Sequence, residues 1–121
     1  MKLKEVQQIL EAEVLCGGDC LEREVTTCFA CDLISEMLLY VKPQSLLITS
    51  LINAHVIHTA QVMDASGVIF VGGKKPDEGV IKNGALNDVP LLTTPYLIFE
   101  SCGLLFSNGI EGDKKSPPGR D

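Results

Sequence analysis

The chain has 121 residues, of which 45% are hydrophobic and 21% charged, with a formal net charge of -6. That is one globular domain, long enough to bury roughly 65% of its unfolded surface. The negative balance argues against a nucleic-acid partner, which would need clustered Lys and Arg. The apolar runs at 66–71 and 90–99 fall far short of the ~20 residues that span a bilayer.

Aromatics are few, with four Phe, two Tyr and no Trp, so the core is to be built from Leu, Ile, Val and Ala. "MKLKEVQQILEAE" places Leu3, Val6, Ile9 and Leu10 at helical spacing, which predicts an amphipathic helix over residues 3–12. Its carboxylates rule it out as a signal peptide. Five cysteines, an odd number with no export signal, point to reduced thiols and a cytoplasmic location. "EVLCGGDC" reads as a brief strand entering a Gly-Gly-Asp turn. "EVTTCFACD" reads as a second strand, with Val25, Thr27 and Phe29 on one face and Thr26, Cys28 and Ala30 on the other. The following helix has Leu33, Met37 and Tyr40 near one face, and Asp32 is placed to cap it.

From residue 45 onward an apolar strand followed by a helix occurs three times. "SLLITS" precedes "NAHVIHTAQVMDA", with a stripe of Ala54, Ile57, Ala60 and Met63. "GVIFVGG" precedes "KKPDEGVIKNGALND", a weak helix containing Gly79 and Gly84. "PLLTT" precedes "PYLIFESCGLLFSNG", where Thr94 suits the N-cap, Pro95 the first helical position and Gly109 the C-terminal stop. Continuous apolar strands alternating with helices predict a three-layer α/β/α fold with a central, mainly parallel sheet. Residues 1–110 form the expected domain, and residues 111–121, rich in charge and Pro, the expected disordered tail.

In an open parallel sheet, ligands bind beyond the carboxyl ends of the strands. Those ends read Thr49-Ser50, Gly72-Gly73 and Thr93-Thr94, each leading towards a helix N-terminus that favours an anion, with Lys74 or Lys75 available for its charge. Gly72-Gly73-Lys74-Lys75-Pro76 is not a nucleotide-hydrolysing P-loop, because the Gly spacing and the hydroxyl after Lys are missing. His55 and His58 stand three apart on a helix without further ligands, so no metal site is expected there. Cys28 and Cys31 have C-x-x-C spacing, but residues three apart on a strand point to opposite faces. Packing is their expected role. A small metal or redox accessory protein using the N-terminal cysteines, Cys16 and Cys20 included, is the competing class.

"VTTCFACDLISEMLLY", "SLLITSLINAHVIHTA", "GVIFVGGKKPDEGVI" and "VPLLTTPYLIFESCGLL" occur in the order and spacing of the DRTGG domain, and the chain resembles that family over about residues 1–110. The family's Asp-Arg-Thr segment is replaced by Ser50-Leu51-Ile52-Asn53, while Gly-Gly is kept as Gly72-Gly73. The resemblance implies a fold similar to the amino-terminal domain of HPr kinase/phosphorylase without its catalytic half. It also implies a regulatory or ligand-sensing module rather than an enzyme, without cofactor or catalytic residue. The expected ligand is small and anionic or nucleotide-like, held near Asp32, Ser35, Thr49, Ser50, Asn53, Gly72, Gly73, Thr93 and Thr94. The expected partners are a second copy of the chain, forming a homodimer, and a metabolic or hydrogenase-type electron-transfer enzyme. A protein–protein adaptor with no ligand is the remaining alternative.

Overall fold

A computed structural model describes residues 1–114. Its elements run α1 (Leu3–Ile9), β1 (Glu13–Cys16), a 3-10 turn (Gly18–Cys20), β2 (Thr27–Ala30), α2 (Ile34–Tyr40), β3 (Ser45–Thr49), α3 (Ala54–Val62), β4 (Gly67–Phe70), α4 (Glu78–Leu86), β5 (Leu91–Thr93), α5 (Ile98–Ser107) and β6 (Glu111–Gly112). The sheet order is β1-β5-β4-β3-β2-β6. Pairings are parallel throughout except at one edge, where β1 lies antiparallel to β5.

Every residue of β3, β4 and β5 is buried. Alternation along these strands sends successive side chains to opposite layers. Leu46, Ile48, Ile69 and Leu92 pack with Leu3, Val6 and Leu10 of the α1 segment and Leu105 of α5. Leu47, Val68, Phe70 and Leu91 pack with Met37 of α2 and with Val56, Ile57 and Ala60 of α3, against which Val80 of α4 also lies. The three-layer α/β/α architecture with a mainly parallel sheet is therefore present, with α1 and α5 on one side and α2, α3 and α4 on the other.

Several boundaries and faces differ from the expectation. α1 stops at Ile9, and Glu11 turns the chain with φ 49° before β1. β2 is shorter than residues 24–32, because Glu24 bridges to Lys2 and the Val25 N–H donates to the Met1 carbonyl at 2.6 Å. Val25 thus joins the α1 layer instead of sharing a face with Phe29. On α3 the buried face is Val56, Ile57, Thr59 and Ala60, while Ala54 is exposed and Met63 half-buried. α5 begins at Ile98 rather than after Thr94, and its N-cap Leu97 makes no side-chain bond.

The tail expected from residue 111 is also corrected. Glu111 and Gly112 add a parallel edge strand to β2. Asp113 then anchors it, accepting from the hydroxyls of Thr27 and Ser45 (2.7 Å for Ser45). Residues 115–121 of that expectation lie outside the described residues. No helix among the described residues is long and apolar enough to cross a membrane.

The two glycines of α4 make opposite demands. A Cβ at Gly84 would lie 2.7 Å from Leu91 Cδ1 and 3.0 Å from its Cγ, whereas one at Gly79 would meet only Asp77 Oδ1, at 3.4 Å. Gly84→Ala is expected to destabilise the fold by about 1–3 kcal/mol through overpacking. Gly79→Ala is expected to stabilise it by up to about 1 kcal/mol through helix propensity. Urea unfolding of the two variants beside the parent chain checks both signs.

Candidate ligand-binding cleft

The parallel strands deliver their carboxyl ends to one side of the sheet. Two residues past β2 stands Asp32, whose expected place was the cap of α2. It does not cap that helix, whose N-cap is Leu33. Its carboxylate instead reaches the exit of β3. Oδ1 accepts from Thr49 Oγ1 and from the Ser50 N–H, both at 2.7 Å, and Oδ2 accepts from the Ser50 hydroxyl. Burial pushes this carboxyl up, but the Ser50 and Thr49 hydrogen bonds and the charge of Lys74 outweigh it. Asp32 is held below the ordinary aspartate value. Thr49 Oγ1 in turn accepts from the Leu51 N–H at 3.1 Å, which fixes the path of the loop leaving β3.

That loop runs to Asn53, the N-cap of α3, whose side chain accepts from the His55 N–H at 3.0 Å. Across from it, Asp77 caps α4 by accepting from the Val80 N–H at 3.0 Å. A cleft of about 620 Å³ opens between the two helix starts, with Ser50, Asn53 and Asp77 as its polar lining and Leu51, Ile52 and Val80 as its apolar lining.

The other expected site residues have different surroundings. Gly72 and Gly73 both take φ 69°, a left-handed conformation that costs glycine little. Their N–H groups are not free for an anion: Gly72 donates to the Tyr96 carbonyl at 2.8 Å and Gly73 to that of Thr94 at 2.7 Å. Thr93 and Thr94 are buried. The Thr93 hydroxyl donates to the Lys74 carbonyl and the Thr94 hydroxyl to that of Leu10, each at 2.6 Å. Thr94 therefore stitches β5 to the end of α1 instead of starting α5. Ser35 is exposed on α2 and is not among the residues lining the cleft.

So Asp32, Thr49 and Ser50 form one hydrogen-bonded cluster at the β3 exit, of which Ser50 lines the cleft together with Asn53, while Gly72, Gly73, Thr93 and Thr94 spend their hydrogen bonds inside the fold. Asp77, Ile52 and Val80 also line the cleft and were not among the expected residues. Asp77 carried a readable signal, since an Asp directly before Glu78 and an apolar run is a helix start. Lys75 pairs with Glu13 of β1 at 3.0 Å. Lys74 is exposed and forms no salt bridge among the described residues. The cleft therefore offers acceptors and an apolar wall, with one cation nearby.

The C-x-x-C pair does not converge. Cys28 faces the α1–α5 layer and Cys31 the opposite one. Burial pushes the Cys28 thiol up to about 12, with Cys102 and Asp113 adding to it, and burial also raises Cys31. Among the described residues no three His, Cys, Asp or Glu side chains gather as a metal set, and His55 and His58 are exposed.

The DRTGG domain model matches residues 5–106, so the chain belongs to the DRTGG domain family. No curated protein matches it. Among solved structures, the chain is similar to the CBS and DRTGG domains of the regulatory region of Clostridium perfringens pyrophosphatase, complexed with the activator diadenosine tetraphosphate. The TM-score is 0.67 at 16% identity, over 86% of this chain and 45% of that one. The chain thus spans less than half the length of that regulatory region.

The Asp32 contacts set a pH dependence. Because the folded carboxyl lies below its unfolded value of about 4, its contribution is complete above that pH. It is lost as pH falls through the folded value. Asp32→Asn is expected to lower stability at pH 7 by about 1 kcal/mol, a figure discounted for solvent exposure. The gap from the parent chain should close as unfolding is followed from pH 6 down to pH 3.

Proposed function

We propose that this DRTGG-family chain is a non-catalytic regulatory module that binds a small nucleotide-like ligand and modulates a partner metabolic or electron-transfer enzyme. The observation that carries the reading is the cleft between the starts of α3 and α4, at the carboxyl ends of the strands. An apolar wall of Leu51, Ile52 and Val80 suits a base, while Ser50, Asn53 and Asp77 suit its polar edge or a sugar hydroxyl. The negative charge of such a ligand belongs outside the cleft, towards Lys74, because Asp77 in its lining repels it inside, with Asp32 behind Ser50 adding to that. A fold shared with part of a regulatory region that carries an activator supports the same class of role. The module is proposed to act as a homodimer.

Thermal-shift and calorimetric titration with AMP, ATP, diadenosine tetraphosphate and acetyl phosphate tests this reading. A ligand at one hundred times its Kd stabilises the fold by about 2.7 kcal/mol, a shift of several degrees. Asn53→Ala is expected to weaken the binding nucleotide roughly tenfold, the cost of one buried hydrogen bond. Absence of any shift or heat across the panel would replace the sensing role by that of a protein–protein adaptor.

A further inference from the structure

The polar groups that line the cleft have their hydrogen-bonding roles fixed by the fold itself. A backbone N–H bonds only to an oxygen, so the bond from the His55 N–H to Asn53 Oδ1 orients that carboxamide. Its nitrogen, Nδ2, remains a donor with no partner among the described residues. At the start of α4 the Val80 N–H occupies Asp77 Oδ1, and Oδ2 remains an acceptor with no partner among the described residues. The Ser50 hydroxyl gives its proton to Asp32 Oδ2, because a carboxylate only accepts. Ser50 Oγ therefore has lone pairs to offer and no proton. The lining presents one donor and two acceptors beside the apolar wall of Leu51, Ile52 and Val80.

We infer that this pattern selects guanine among the bases, so that the module senses a guanine nucleotide. The inference rests on the reading of the cleft as a nucleotide site and names the base it takes. Guanine carries two donors, N1–H and the N2 amino group, beside one acceptor, O6. In this assignment O6 accepts from Asn53 Nδ2, while N1–H and the N2 amino group donate to Asp77 and Ser50. The faces of the ring lie against the apolar wall.

The other bases fail the same inventory. Adenine brings the N6 amino group and the bare ring nitrogen N1, so one acceptor of the cleft is left without a proton. Cytosine carries a single donor group beside two acceptors, and the one N–H of uracil lies between two carbonyls. An acceptor desolvated by the ligand and left unpaired counts against the wrong base, which is how hydrogen-bonding sites discriminate. The bond to Asp77 weighs most, because hydrogen bonds to a charged acceptor are about twice as strong as neutral ones. Ribose hydroxyls also donate to carboxylates, but they are common to all ribonucleotides and confer no preference among bases.

Calorimetric titration of the full-length parent and of Asp77→Asn with GMP, IMP, AMP and XMP tests the assignment. Asn caps a helix as well as Asp does, so the variant keeps its fold, and circular dichroism verifies this. The parent is expected to bind GMP about 30-fold more tightly than AMP and about fivefold more tightly than IMP, which lacks the N2 amino group. In Asp77→Asn the preference for GMP over AMP is expected to vanish. Xanthine has a carbonyl where guanine has the N2 amino group, so XMP is expected to bind Asp77→Asn more tightly than the parent. AMP binding as tightly as GMP overturns the base assignment and leaves nucleotide sensing standing. So does a GMP preference that survives Asp77→Asn, since the base is then read elsewhere. Failure of all four nucleotides to bind removes the sensing reading and this inference with it.

Discussion

All nine residues of β3 and β4 are withdrawn from water, and the arrangement of the molecule follows from that constraint. A strand buried on both faces needs a helical layer on each side and leaves polar chemistry only at its ends. The amino ends are closed by the Ser45–Asp113 and Ser66–Glu24 contacts. The carboxyl ends are where loops can vary, and there the chain puts Asp32, Ser50, Asn53 and Asp77. Position along the strand direction thus divides structural residues from candidate binding residues before any particular ligand is considered.

At the carboxyl rim the hydrogen-bond inventory separates a framework from a cleft. Gly72, Gly73, Thr93 and Thr94 tie the exits of β4 and β5 to each other and to α1. Such bonds hold the rim rigid but leave few donors to offer a phosphate. The free space lies one step along the sheet, where the β3 exit is held by Asp32 and the two helix starts are capped by their own Asn53 and Asp77 side chains. Capped helix ends have less positive potential to spare for an anion. This favours recognition of a ligand's neutral part over its charge.

The strands of the central sheet were legible because burial on both faces writes itself as an unbroken apolar run. The layer assignment of Cys28 and Phe29 followed from simple alternation. What misled was local grammar with a distant partner. Thr94-Pro95 has the form of a helix start, yet the Thr94 hydroxyl is taken by Leu10, and α5 begins at Ile98. Asp32 has the form of a cap, yet its carboxylate is claimed by the β3 exit. Of the residues that line the candidate cleft, Ser50 and Asn53 were expected from their place after an apolar strand. Val80 and Ile52 were not, because an apolar residue lining a cleft has the same sequence signature as one lining a core. β6 escaped notice for a different reason: two residues with a glycine hold no periodicity, and only Asp113 and the waiting edge of β2 make them a strand.

The two outer strands limit how the molecule can associate. β6 contributes two residues, one of them charged, and β1 is interrupted by a bulge between Val14 and Cys16. Neither edge presents a long, regular row of unpaired amides for another chain to extend. Growth by strand addition, the route to open-ended polymers, is blocked at both ends of the sheet. The helix faces are left as the surfaces on which another molecule could dock.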